Sequence, residues 1–215
     1  MAAEDLYYHG VRLVVTNLIW GMGALATVYL LTRTPVGAVA LVAMIPISIG
    51  LMGMATALVR ERSVVMSDFA RAIGARFWRL LALGLAQLGL LVIAGFDLLL
   101  GLQLGGILGL VLALVAFYSA LAVWLVALTV WPIVTDPERR DEPVRACVRL
   151  GALLVLAHPV RIGALAFLLA VVTVASTILA AAIITFAAAY MALVAAHFVL
   201  PAADRLEGRA TLVED

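Results

Sequence analysis

The chain has 215 residues, of which 66% are hydrophobic and 13% charged, with a formal net charge of +1. Soluble domains are about 45–50% apolar and about 25% charged, and one water-soluble core of this size cannot hide so much apolar surface. The hydropathy excludes disorder, the single cysteine (Cys147) excludes a disulfide scaffold, and the near-neutral charge argues against nucleic acid.

What remains is an all-α, polytopic membrane bundle forming a single integral membrane domain over residues 1–215. A hydrocarbon layer about 30 Å thick needs roughly 20 apolar residues per crossing. The first expected span covers 13–31 and closes at Thr32-Arg33-Thr34-Pro35. The second covers 36–59 and ends at Arg60-Glu61-Arg62; the third covers 80–101, and glycines 101, 105 and 106 lead into the fourth, 107–134. Asp136 to Glu142 then places six charges in seven residues, and Ile162 to Leu200 carries none. At 1.5 Å per residue that last stretch would reach about 58 Å as one helix, roughly twice the hydrocarbon thickness. It divides better into spans at 162–178 and 182–200, with a turn near Thr177–Ala182. The count is six spans, with five as the alternative. A cleaved leader ending near Ala24-Leu25-Ala26 fits less well, because Glu4 and Asp5 precede Arg12 and apolar sequence continues past the site.

Charge placement tests the count. All 14 basic residues are arginines, and six spans put every one except Arg33 on a single side. The positive-inside rule makes that side the cytoplasm and gives a multi-pass protein of a bacterial inner membrane with both termini cytoplasmic.

The segment after the second span predicts a short amphipathic helix starting at Phe69 behind a Ser67-Asp68 cap. Phe69, Ile73 and Phe77 share one face, and Arg71 and Arg79 lie opposite. The segment after the fourth span predicts another, with Pro143 as its first residue, Arg145 and Arg149 on one face, and a break at His158-Pro159. Arg71, Arg76, Arg79, Arg145 and Arg149 are candidate contacts for a membrane-protein partner or anionic lipid; as topology signals they would only snorkel to lipid phosphates.

Inside the spans, Asn17, Pro46, Gln87 and Asp97 are the candidates for a transport path. Read as structure, Asn17 and Gln87 bond neighbouring helices, Pro46 kinks the second span, and Asp97 is an interfacial carboxylate. His158 and His197 read as interfacial. Gly105-x-x-x-Gly109 and the Ala188, Ala192, Ala196 ladder offer small faces for close packing, within one bundle or between copies. Tyr8, Trp20, Trp78, Trp124 and Trp131 are expected interfacial anchors. No phosphate-binding loop, metal-ligand spacing or nucleophile elbow is present, so neither catalytic residues nor a cofactor or metal is expected.

Several short stretches resemble the YesL family of bacterial membrane proteins. These are Asn17-Leu18-Ile19-Trp20, Ala55-Thr56-Ala57-Leu58, Asp68-Phe69 with Arg76-Phe77, Trp131-Pro132, and Val144 through His158-Pro159. The interval from Trp20 to Ala55 looks longer than in that family, and His158 stands where Asn is common. The resemblance implies a membrane protein without assigned activity, with an accessory role near carbohydrate uptake in some members. It brings no catalytic residues. Two functions stay open: a non-catalytic scaffold or accessory protein, and a small permease.

Overall fold

The structure is a computed structural model that describes residues 10–34, 37–61, 64–178 and 187–209. Among these residues there are eight α-helices and no strand. They are α1 (Gly10–Arg33), α2 (Gly37–Glu61), α3 (Met66–Gly74), α4 (Phe77–Leu104), α5 (Gly106–Thr135), α6 (Val144–Ala157), α7 (Pro159–Ile178) and α8 (Ala188–Leu206), with a 3-10 turn at Pro137–Arg139.

Four helices, α1, α2, α4 and α5, are long and apolar enough to cross a membrane. The α6–α7 pair adds a fifth if it counts as one broken span, since its halves meet at 100°. The expected six is therefore not reached among the described residues. Two features explain the shortfall. The described part of the last helix includes His197, Asp204 and Arg205, which lower its hydropathy, and residues 179–186 lie outside the described set. The expected turn near Thr177–Ala182 falls largely on those residues, and Tyr8 is outside the description as well.

Two apolar clusters hold the bundle. Leu13, Met54 and Leu58 pack with Leu193, Ala196 and Leu200, joining α1, α2 and α8. Ile49, Leu80, Ile133, Leu154, Ile162 and Val199 join α2 and α8 to α4 through α7. In lipid there is little hydrophobic drive between helices, so close packing through small side chains takes its place. The buried alanines 188, 192 and 196 supply that face on α8. Outward-facing side chains such as Phe96, Ile107, Leu108 and Val115 leave α4 and α5 apolar on their exposed surface. A surface of that kind suits hydrocarbon and would be a liability in water.

The α4–α5 hairpin turns on Gly105 and Gly106, at φ +62° and +61°, a conformation that favours glycine. Gly105 therefore makes the turn instead of a packing face with Gly109. The close approach runs between Gly101 and Gly109: a Cβ on Gly101 would sit 2.6 Å from the Ala113 backbone nitrogen.

The α3 region also departs from expectation. Its helix starts at Met66, because the Asp68 carboxylate accepts from the Val65 N–H at 2.8 Å and caps the first turn three residues earlier. It stops at Gly74, and a turn at Ala75–Arg76 puts Phe77 on α4, so Phe69, Ile73 and Phe77 do not share one helix. Pro143 precedes α6 as its cap, and Pro46 sits inside an unbroken α2.

Candidate functional site

Charge gathers at one end of the bundle. Arg60 lies in the last turn of α2, Asp136 directly follows α5, Arg139 closes the 3-10 turn and Asp204 is in the last turn of α8. These four come from segments up to 144 residues apart. Arg60 grips Asp136 with two parallel bonds, Nε to Oδ1 at 3.1 Å and Nη2 to Oδ2 at 2.6 Å. The same guanidinium reaches both oxygens of Asp204, at 2.7 and 3.1 Å. Arg139, with a fully buried side chain, donates to Asp204 Oδ1 at 2.6 Å and to Glu207 Oε2 at 2.5 Å. Its Nε lies 3.3 Å from Asp136 Oδ2, an ion pair without hydrogen-bond geometry. Arg209 extends the chain of pairs to Glu142 and Glu207.

The planar, forked guanidinium explains why arginine does this job. Two carboxylates can each meet two of its N–H groups, which a lysine ammonium cannot arrange. Burial opposes ionisation of Asp204, but the bonds from Arg60 and Arg139 outweigh it and hold the carboxyl below its usual range. For Arg139, burial is likewise outweighed, by Glu207 and Asp204, so its pKa is raised. The network is a latch that ties α2, α5 and α8 together where their apolar packing ends.

The latch was hidden in the sequence. Its members read there as loop charges that fix topology. The one available signal was mixed sign: Asp136 to Glu142 and Asp204 to Arg209 alternate acids with arginines, whereas Arg71 to Arg79 is basic only.

The expected contact residues surround the latch without converging on one point. Arg76 touches it, donating from Nη2 to the Arg139 carbonyl at 3.0 Å, while its Nη1 is buried with no hydrogen-bond partner. Arg71 pairs with Asp68 at 2.5 Å and is otherwise exposed. These two arginines line a cavity of about 50 Å³ with Asp68 and Asp136. Arg145 and Arg149 are exposed on one side of α6, beside a hollow of about 540 Å³ bordered by Leu153 and Leu206. Arg79 is exposed near the start of α4.

The polar groups proposed for a transport path go to separate neighbours. Asn17 Oδ1 accepts from the Ala189 N–H at 2.7 Å, joining α1 to the start of α8. Gln87 accepts from Trp131 Nε1 at 2.6 Å, joining α4 to α5. Asp97 and Pro46 are both half-buried. Two of the expected tryptophan anchors thus have inward partners, since Trp20 Nε1 donates to Ser48 at 3.0 Å. Trp78 is exposed. Threonines complete the cross-helix set: Thr56 donates to the Thr135 carbonyl at 3.1 Å and Thr129 to the Gly151 carbonyl at 2.9 Å.

Among the described residues no group of three or more His, Cys, Asp or Glu side chains is placed to hold a metal ion. Comparison of the chain with protein-family models, with curated proteins and with solved structures gives no match. What is established is the class: a helical bundle with four or five apolar helices of membrane-crossing length, drawn together at one charged end.

Proposed function

We propose that the protein is a non-catalytic scaffold or accessory component of a bacterial inner membrane, six-spanning, with the charged end and both termini in the cytoplasm. The observation that supports this most is how the polar groups are used. Asn17, Gln87, Thr56 and Thr129 within the apolar shafts bond neighbouring helices, and the buried charges bond each other across the latch. Among the arginines left over, Arg79, Arg145 and Arg149 face outward. A rigid bundle end with a cationic rim suits docking of a membrane-protein partner, a second copy or anionic lipid.

The resemblance to the YesL family points the same way and adds a role near carbohydrate utilisation. It rests on the short stretches quoted above. A permease would need Asn17, Pro46, Gln87 and Asp97 around one path, and the partners of Asn17 and Gln87 on different helix pairs weaken that alternative.

Purification from membranes in mild detergent tests the scaffold. The expected result is a stoichiometric partner that is lost in an Arg145→Gln, Arg149→Gln variant. Purification alone, with arginine changes affecting only topology, contradicts it. For the permease, pH-dependent flux in vesicles that Asp97→Asn abolishes would overturn the scaffold reading.

A further inference from the structure

A second basic site lies at the start of α7, against a face of α8 next to the one that carries Asp204. Here His158 and Arg161 meet His197 and Arg205 around a cleft of about 340 Å³, with Ile162 and Phe198 among its apolar walls. Among the described residues, no carboxylate lines it. The nearest acid in sequence, Asp204, is held by Arg60 and Arg139. The side chains of Arg161 and Arg205 make no ion pair or hydrogen bond among the described residues and are exposed. Two guanidiniums brought together without a counter-charge repel one another, and an anion between them removes that repulsion.

The helices on either side fix what kind of anion fits. They run antiparallel: Arg161 and Arg205 share the cleft, and further along Thr173 donates to Met191 Sδ at 3.3 Å. Residues seven apart lie on nearly the same helix face. Leu168 therefore follows Arg161 down α7, and Phe198 lies below Arg205 on α8, both exposed. The groove is cationic at the charged end and apolar along the shafts. That polarity matches an amphipathic molecule with an anionic head, set at the level where a leaflet places its phosphates.

We propose that this cleft binds a phosphate group, supplied by an anionic phospholipid of the leaflet at the charged end, with Arg161 and Arg205 clamping the phosphate and acyl chain lying against Leu168 and Phe198. The site shares no residue with the latch or with Arg71, Arg76, Arg79, Arg145 and Arg149, and it does not depend on the scaffold reading.

The test uses the full chain, delipidated in neutral detergent, with lipid binding followed by native mass spectrometry. Phosphatidylglycerol is expected to bind at one copy per chain, well ahead of phosphatidylcholine. Arg161→Gln or Arg205→Gln weakens it about tenfold and the pair about 100-fold, as loss of charge-assisted bonds requires. Arg161→Lys with Arg205→Lys retains binding to within about tenfold, since the charge stays while the fork is lost. Arg140→Gln removes the same charge from an exposed position outside the cleft and changes binding less than about twofold. Inorganic phosphate at millimolar concentration forms the second arm. If it displaces the lipid or raises the thermal midpoint of the wild type but not of the double variant, the site reads phosphate from either source; without such an effect the lipid is the ligand. The proposal is overturned if neither phosphatidylglycerol nor phosphate binds. Equal binding of phosphatidylcholine, or a loss in Arg140→Gln as large as in Arg161→Gln, also overturns it.

Discussion

The two ends of the α4–α5 hairpin are held by opposite means. Near Gly101 and Gly109 the helices approach through the absence of side chains, and the loop turns on two glycines at positive φ. At the other end, beyond Thr135, the chain is fastened to α2 and α8 by buried guanidinium–carboxylate pairs. The first device is local and joins neighbours in sequence. The second is long-range and brings together segments that the chain order leaves far apart. The comparison shows how a bundle with little hydrophobic drive between its helices obtains a fixed arrangement: steric fit at the glycine turn, and charge where polar atoms can be assembled.

Breaking the charged end should have the largest effect. Arg139→Met takes from Asp204 and from Glu207 one of the two arginines each is paired with, and is expected to cost about 3 kcal/mol, read as a lowered unfolding midpoint in detergent. An unchanged midpoint would reduce the latch to decoration. Acid should act on the same pairs. Because the folded Asp204 carboxyl lies below its ordinary value of 3.8, its contribution is fully present above that pH and is lost as pH falls through the folded value. The thermal midpoint is therefore expected to hold steady at mild acidity and to drop below about pH 4, with a shallower drop in Asp204→Asn.

The glycine end should respond less. Gly101→Ala puts a methyl against the α5 backbone and is expected to cost about 1–3 kcal/mol, with the loss confined to the hairpin in hydrogen exchange. Smallest is Gln87→Leu, which removes the bond from Trp131 for about 0.6 kcal/mol. A larger loss there than at Arg139 would invert the comparison between the two means of attachment.

The long apolar helices were legible because hydropathy and length report them directly. α1, α2, α4 and α5 each contain a stretch that the residue pattern marks as long enough to cross. The break at His158-Pro159 was legible too, since proline disfavours helix in the residue before it. The α3 boundaries were misplaced by a local competition: both Ser67 and Asp68 suit a cap, and the Asp68 carboxylate bonds backward to Val65 instead of opening a helix after itself. The glycine spacing at 105 and 109 misled because one glycine was needed for its positive φ. The latch was illegible for a different reason. Which acid meets which arginine depends on the helices' relative rotation and height, and no spacing in the chain encodes that for Arg60 and Asp204.

The central claim is that Arg139 and Asp204 are energetically coupled across the bundle's charged end. A double-mutant cycle with Arg139→Met, Asp204→Asn and the pair, measured as unfolding free energy of the full chain in one detergent, addresses it directly. The account predicts a coupling of about 1–3 kcal/mol, so that the double variant is far less damaged than the two single losses added together. Strict additivity of the two losses would contradict it.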